Sequence, residues 1–306
     1  MRIIVHGGAG STPDEPDARQ AVLDEAAETG ASAATPLDAV ESAVHTLESS
    51  PRFNAGAGGA VQSDGVVRTD AGVMTADRSV GAACSMRGVE HAVSVARAVL
   101  EETPHVLLAG DHAVAFADAV GVETDADLLT DATRERYAAE SPPDGPPPTH
   151  LDWLQTRFGT GTDHGSSTDR SNDADTEASG APDHDTVGAV AATDETVAAA
   201  TSTGGRSFAL AGRVGDVPQV GSGFFCTEAG GASATGAGED IVRVTLSRLA
   251  VDALEDGHGA QAAAETAMAQ FDDVTGSSAG VIVCTDADVG SAFTSEAMQT
   301  SVASRD

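Results

Sequence analysis

The spacing of apolar residues predicts a series of short elements in the first 125 residues. Helices are predicted near residues 18–29, 35–50, 89–101 and 111–120, where apolar positions recur at helical spacing or start and stop signals bound the segment. A buried strand is predicted at 2–5 and a short apolar strand at 105–109, with alternating segments that suit strands at 60–86. The first strand runs into a predicted glycine turn at residues 6–10, and a second glycine loop covers 53–59.

A hairpin is predicted where regular patterning returns after residue 184. Two apolar runs, Thr186–Ala192 and Val197–Thr203, flank Asp194 and Glu195. If those two residues form the turn, Thr186 faces Thr203 and both side chains lie on one face of the sheet. Farther on, helices are predicted near 239–256 and 259–272, followed by strands at 279–285 and 289–294. Strands and helices in separate blocks favour an α+β layered architecture.

The composition changes between about residues 141 and 183. The segment begins with several prolines, and from Gly159 it consists almost wholly of glycine, serine, threonine, aspartate and asparagine. Such a segment cannot offset the entropy of ordering by burying apolar surface. We therefore predict a mobile surface linker over about 141–183.

Charge excludes two classes of partner. The 306 residues carry 16 basic and 48 acidic side chains, a formal net charge of −32, and every basic residue is arginine. This surface repels nucleic acid and anionic membranes. Because molar salt shortens the screening length to about 3 Å, we hypothesise a salt-adapted protein. The apolar start is too short for a signal peptide and no run approaches a membrane span, so a cytoplasmic location is expected.

Metal and disulfide chemistry finds little support in the sequence. The cysteines Cys84, Cys226 and Cys284 are far apart and lack CxxC spacing, and the histidines show no HExxH pattern. Neither a disulfide framework nor a catalytic metal is expected. The glycine turn at 6–10 also lacks the lysine of a phosphate-binding loop, which disfavours a nucleotide site.

A mobile linker that ends directly before a strand beginning with threonine is typical of a self-cleaving precursor. Cleavage before Thr186 would give that residue a hydroxyl nucleophile and a free α-amino group. An α-amino group has a pKa of about 7.7 to 8.0 and so acts as its own general base near neutral pH. The alternative is an ordinary pair of strand threonines, for which these residue types have a high propensity.

Six segments together resemble the plant-type asparaginase and isoaspartyl peptidase family of N-terminal-nucleophile hydrolases. They are His6–Gly10, Phe53–Gly56, Thr186–Val190, Ala200–Gly205, Gly212–Asp216 and Ala234–Glu239. The likeness covers roughly residues 3–125 and 184–298. It implies a four-layer αββα sandwich within one domain, 1–306, made as a precursor. It also implies an α subunit, 1–185, a β subunit, 186–306, and a homodimer of cleaved protomers.

The resemblance implies a catalytic role for five matched residues. Thr186 is the implied nucleophile released by autoproteolysis, and Thr203 hydrogen-bonds it. The Thr235 hydroxyl and the Gly236 amide are the implied oxyanion hole, and Asn54 helps set the surroundings of the nucleophile. Read without the resemblance, the glycines around 236 are only a loop before a helix.

Three further residues are implied to bind substrate. Arg213 would hold the α-carboxylate, while Asp216 and the Gly238 carbonyl would receive the α-ammonium group. The implied substrate is a small molecule, L-asparagine or a β-aspartyl dipeptide, cleaved through a β-aspartyl ester on the nucleophile. Without the resemblance, an arginine and an aspartate three apart are an ordinary surface ion pair.

One departure from the plant-type pattern concerns the residue before the nucleophile. Plant-type members usually have glycine there, whereas this chain has Asp185. This leaves open a glycosylasparaginase-like or threonine-aspartase-like hydrolase, and also an inactive, non-cleaving relative that acts as a binding protein. No cofactor is implied apart from a structural sodium ion held by backbone carbonyls near residues 47–57, which leaves no residue-type signature.

Overall fold

Two β-sheets lie face to face in the computed structural model, which describes residues 1–159 and 186–305. The larger sheet has seven strands and the smaller sheet has four. Helices cover the outer face of each sheet. The predicted α+β class and the four-layer αββα arrangement are confirmed.

Neighbouring strands are antiparallel in both sheets, except for β3 and β4, which are parallel. Their bounds are β1 Arg2–Gly10, β2 Arg68–Thr75, β3 Val80–Arg87, β4 Leu107–Ala109, β5 Val187–Ala192, β6 Val197–Thr203, β7 Phe224–Thr227, β8 Gly230–Gly236, β9 Ala279–Cys284, β10 Val289–Phe293 and β11 Ala297–Ser304. The large sheet has the order β11-β1-β5-β6-β2-β3-β4, and the small sheet β10-β9-β8-β7.

Nine α-helices lie in the described part of the chain. Their bounds are α1 Pro16–Ala31, α2 Pro36–Glu48, α3 Ala92–Glu102, α4 Gly110–Ala119, α5 Asp131–Glu140, α6 Leu151–Phe158, α7 Gly238–Val244, α8 Leu246–Glu255 and α9 Ala260–Thr275. A 3₁₀ turn, Pro147–His150, precedes α6. The predicted start of α2 is confirmed, because the Thr35 side chain accepts a hydrogen bond from the Asp38 amide.

Two apolar cores hold the layers together. One lies between the large sheet and α1, α2, α3 and α4, and the other is formed by both sheets with α7, α8 and α9. Both are built mainly from alanine and valine, with few large rings such as Phe224 and Phe271. The catalytic candidates at the ends of β5, β6 and β8 lie where these strands of the two sheets meet.

Two predicted elements differ from the structure. Residues 6–10 are not a turn but continue β1, with an irregularity in the register between His6 and Ala9. The single helix predicted near 239–256 is two helices, α7 and α8, which part at Thr245 with φ 53°. After the break, the amides of Ser247 and Arg248 donate to the Ser222 and Gly221 carbonyls. Those tertiary hydrogen bonds replace the ones that would continue the helix.

Part of the segment predicted as a mobile linker forms regular structure. Residues 147–158 form the 3₁₀ turn and α6, and Leu154 of α6 is buried. Trp153 and Phe158 pack against a small cluster that includes Phe208. These apolar side chains give the segment enough burial to become ordered. The remainder of the predicted linker, residues 160–183, lies outside the described residues.

Candidate active site

The β5–β6 hairpin carries the two threonines predicted to face each other. Val187 pairs with Ser202 and Ala192 with Val197, and the Thr193 amide donates to the Thr196 carbonyl at 2.9 Å. This is the register predicted from a turn at Asp194 and Glu195, which is therefore confirmed. Thr186, directly before β5, is thereby brought level with Thr203 at the end of β6.

The Thr186 and Thr203 side chains are in direct contact. The Thr186 Oγ1 hydroxyl donates to Thr203 Oγ1 at 3.2 Å. Both residues are buried, with 7% and 3% of their surfaces exposed, and both line one pocket. Thr203 Oγ1 in turn accepts a hydrogen bond from the Gly205 amide at 3.1 Å. The nucleophile candidate therefore lies in a largely dry site where its hydroxyl is already oriented.

Asn54 ties two loops together beside these hydroxyls. Its Oδ1 accepts from the Ala60 amide at 2.7 Å, and its Nδ2 donates to the Gly205 carbonyl at 2.6 Å. Its backbone carbonyl accepts from the Gly204 amide at 2.8 Å and from the Thr203 hydroxyl at 3.4 Å. Asn54 thus fixes the end of β6, and with it the position of Thr203.

Strand β8 ends at the same pocket with Gly236, while Thr235 directly before it does not line the pocket. Thr235 is fully buried, and Gly236 lines the pocket with Thr186. Gly236 has φ +133°, and a Cβ there would lie 2.5 Å from Ala279 Cα. Only glycine fits this close approach of β8 to β9, which brings the Gly236 backbone to the pocket wall.

Arg213 lines the pocket and is held by an acidic residue that the sequence did not single out as its partner. Its Nε donates to Glu239 Oε1 at 2.9 Å and its Nη2 to Glu239 Oε2 at 2.8 Å. Burial opposes the charge of Arg213, but this bidentate pair outweighs it and raises the pKa of the guanidinium group. A Cβ at Gly238 would lie 2.6 Å from Asp216 Oδ1, so a larger residue there would displace the Asp216 side chain.

Two buried carboxyl groups lie near Arg213. Burial raises the pKa of Asp216 to about 6, with the charge of Arg213 opposing the shift. Burial likewise raises the pKa of Asp70 to about 7, although the Ser85 amide and Arg213 favour its ionised form. Asp216 Oδ2 is buried and has no hydrogen-bond partner among the described residues. This oxygen remains available to accept a hydrogen bond from a ligand.

A buried polar chain lies behind the nucleophile. His6 Nε2 is 2.8 Å from Ser233 Oγ, and Ser233 Oγ is 2.7 Å from Thr201 Oγ1, which donates to the Gly223 carbonyl at 2.8 Å. Burial lowers the pKa of His6 to about 3, so its imidazole is neutral at physiological pH. These hydrogen bonds link β1, β6 and β8, and Thr201 lies two residues before Thr203 on β6. They support the strands that carry the candidate residues.

The loop at 47–57 closes on itself. The Ala57 amide donates to the Glu48 carbonyl at 2.9 Å, and the Glu48 carboxylate accepts from Ser202 Oγ at 2.5 Å and from the Val93 amide at 3.0 Å. The loop is therefore fastened to β6 next to Thr203.

Glu239 and Arg206 are site residues that the sequence analysis missed. Glu239 belongs to a segment that carries the family resemblance, but its pairing with Arg213 spans 26 residues and is not visible in the sequence. Arg206 lines the pocket with Thr186, and the only signal for it is its place directly after the glycine pair that ends the Ala200–Gly205 segment. Asp185, the residue before the nucleophile, lies outside the described residues.

Residues 1–159 and 186–305 contain no group of three or more His, Cys, Asp or Glu side chains arranged to hold a metal ion. Nor does any helix in this part of the protein have the length and apolar character needed to cross a membrane.

The chain is similar to a known family over its whole length and to individual proteins over most of it. A family model described as Asparaginase matches residues 1–306. A plant-type L-asparaginase of Pyrococcus furiosus is 38% identical over 280 residues, which cover 88% of this chain and 84% of the relative. An isoaspartyl peptidase/L-asparaginase of Danio rerio is 35% identical over 293 residues, covering 92% and 84%.

Proposed function

The chain belongs to the asparaginase family, and we propose that it is an amidohydrolase that releases L-aspartate from L-asparagine, from β-aspartyl dipeptides, or from both. The observation that carries the proposal is the buried contact of the Thr186 and Thr203 hydroxyls in a pocket that Arg213 and Asp216 also line. An ordinary pair of strand threonines would not have a cation and a buried acid beside it.

The proposed reaction begins with attack of Thr186 Oγ on the side-chain carbonyl carbon of the substrate. The freed α-amino group of Thr186 takes the hydroxyl proton and later passes it to the leaving nitrogen. The Thr235 hydroxyl and Gly236 amide donate to the oxygen that becomes negative in the tetrahedral intermediate. Ammonia or an amino acid leaves, and water then hydrolyses the β-aspartyl ester, which restores Thr186.

In the proposed binding mode, the α-carboxylate of the substrate replaces the Glu239 carboxylate on Arg213. Arg213 is occupied by the Glu239 carboxylate, whose pKa is lowered to about 2 because the hydrogen bonds from Arg213 outweigh the effect of burial. We propose that the α-carboxylate of the substrate competes for this guanidinium group. The unpartnered oxygen of Asp216 and the Gly238 carbonyl then receive the α-ammonium group.

The active enzyme is proposed to arise by cleavage between Asp185 and Thr186. Thr186 Oγ attacks the preceding carbonyl carbon, the peptide becomes an ester, and water releases residues 1–185 from residues 186–306. Asp185 supplies a carboxylate next to the scissile bond, and we propose that it accepts the Thr186 proton or strains the peptide during the N-to-O acyl shift. An Asp185→Ala protein that matures as fast as the parent would exclude this role.

Three further features are proposed from the family resemblance. A sodium ion held by backbone carbonyls of residues 47–57 would stiffen the loop that carries Asn54. Cleaved protomers would form a homodimer in the cytoplasm. Light scattering before and after maturation, and melting temperatures in sodium and potassium salts, test the dimer and the ion respectively.

The decisive experiment combines mass spectrometry with three assays. Protein incubated in molar KCl is analysed by intact mass and N-terminal sequencing, then assayed on asparagine, β-aspartyl-leucine and glycosylated asparagine. We expect a fragment beginning at Thr186 and turnover of one or both of the first two substrates. Turnover of glycosylated asparagine alone would favour a glycosylasparaginase-like enzyme. A chain that stays intact and inactive would contradict the proposal and favour a binding protein.

A further inference from the structure

A second guanidinium group lies in the pocket beside Arg213. Arg206 lines the same pocket as Thr186 and Thr203. Its Nε is buried and has no hydrogen-bond partner within residues 1–159 and 186–305. Arg213, by contrast, is satisfied by a bidentate carboxylate. A buried donor without a partner carries a desolvation cost, which a bound acceptor removes.

An aromatic ring holds Arg206 without neutralising it. The guanidinium carbon lies 4.3 Å from the centroid of the Phe158 ring, within the range of a cation–π contact. Phe158 is the last residue of α6, and it packs with Trp153 against Phe208. The contact restricts the arginine side chain but leaves its N–H groups free to donate to a ligand in the pocket.

The positive charge of Arg206 acts on the group that pairs with Arg213. It contributes to lowering the pKa of Glu239, whose carboxylate is bound to Arg213. The pocket therefore has two cations, and the aspartyl part of the proposed substrates supplies one α-carboxylate, for which Arg213 is already the proposed partner. Asparagine offers no second anion, because its leaving group is ammonia. A β-aspartyl dipeptide does, because its leaving group is an amino acid with a free carboxylate.

We propose that Arg206 binds the C-terminal carboxylate of the leaving amino acid and so makes β-aspartyl dipeptides better substrates than asparagine. This inference rests on the proposed function and deepens it, since it assigns the substrate class that the pocket favours. Arg206 acts here as a specificity-determining residue. The carboxylate it binds leaves with the product, so the interaction is absent from the later hydrolysis of the ester.

The test compares β-aspartyl-leucine, its C-terminal amide and asparagine on the mature enzyme. For the parent enzyme we expect kcat/KM to be about tenfold or more higher for the free acid than for the amide, the size of one charge-assisted hydrogen bond. In Arg206→Met, the ratio of kcat/KM for the free acid to that for asparagine should fall by a similar factor. Arg206→Lys should keep most of this preference.

Arg136→Met is the matched control. Arg136 belongs to the same aromatic cluster, with its guanidinium carbon 5.4 Å from the Phe208 ring centroid, but it does not line the pocket. This variant should keep the parental ratio. Equal losses on the free acid and the amide in Arg206→Met would overturn the inference, because they indicate a packing role. Equal parental kcat/KM for the free acid and the amide would overturn it even if the variant does not mature.

The same assays separate the two proposals. A parent enzyme that hydrolyses asparagine but neither dipeptide would overturn the role of Arg206 and leave the asparaginase function intact. A parent enzyme that hydrolyses none of the three substrates would overturn both.

Discussion

Replacement of Asn54 by alanine tests whether the loop contacts beside the nucleophile are required for activity. Asn54→Ala removes the 2.6 Å bond to the Gly205 carbonyl and the 2.7 Å bond from the Ala60 amide. Both backbone groups are buried, and each loses its side-chain partner at a cost of about 1–3 kcal/mol. With partial relaxation we expect the free energy of unfolding to fall by about 2–4 kcal/mol and the melting temperature by about 4–12 °C.

The functional consequence of Asn54→Ala follows from the position of Thr203. The Asn54 carbonyl accepts from the Thr203 hydroxyl, which in turn accepts from Thr186, so movement of this loop displaces the nucleophile. A displacement of about 1 Å at reacting groups costs up to about 100-fold in rate. We expect kcat on asparagine to fall by at least about tenfold, with cleavage before Thr186 slowed as well, as seen by intact mass.

Ser247→Ala provides the comparison for the Asn54 variant. Ser247 is fully buried and its Oγ donates to the Ser222 carbonyl at 2.8 Å, so this change also removes a buried hydrogen bond. It should lower the melting temperature but leave kcat within about twofold of the parent. If Asn54→Ala kept the parental kcat, or if both variants lost kcat in proportion to stability, the proposed positioning of Thr203 would be wrong.

Three further outcomes are expected. Thr186→Ala should remain a single chain by intact mass and hydrolyse neither asparagine nor dipeptide, whereas any cleavage before residue 186 would contradict the proposed nucleophile. Because burial raises the pKa of Asp216 to about 6 and only the carboxylate accepts from an ammonium group, kcat/KM should rise with pH through about 6. A profile unchanged in Asp216→Asn would refute that assignment. With a net charge of −32, the protein should melt at higher temperature in about 3 M than in about 0.05 M KCl, and equal melting temperatures would contradict salt adaptation.

The same pKa shift has the opposite effect on stability. A carboxyl whose pKa is higher in the folded state than its ordinary value of 3.8 binds its proton more tightly when folded. The contribution of Asp216 to stability is therefore largest below about pH 4 and is lost as the pH rises through about 6. Activity and stability thus respond to this residue in opposite directions over that range.

Local patterns were sufficient for several elements. The turn at Asp194 and Glu195, between two apolar runs, determined the register of β5 and β6. The cap at Thr35 with Pro36 determined the start of α2. In these cases the deciding interactions lie within a few residues, so the sequence contains the information directly.

Other elements depend on distant parts of the chain and were missed. Strand β11 pairs with β1, and Arg2 lies opposite Ser304, so the pairing joins the two ends of the chain. Its residues are mostly half-buried or exposed at the edge of the sheet, which leaves little apolar alternation to detect. Helix α5 is bounded by a capping box at Thr130 but has no buried residue, so it lacks an apolar face.

The sequence by itself determined the register of β5 and β6, the facing threonines and, through the family resemblance, the residues proposed for the candidate site. Only the tertiary structure decided how their charges are balanced. The bidentate pairing of Arg213 with Glu239, the raised pKa of Asp216 and the unpartnered Nε of Arg206 all result from burial and from contacts between remote segments. Burial changes the energy of a charge without changing the residue that carries it, so no local pattern encodes these properties.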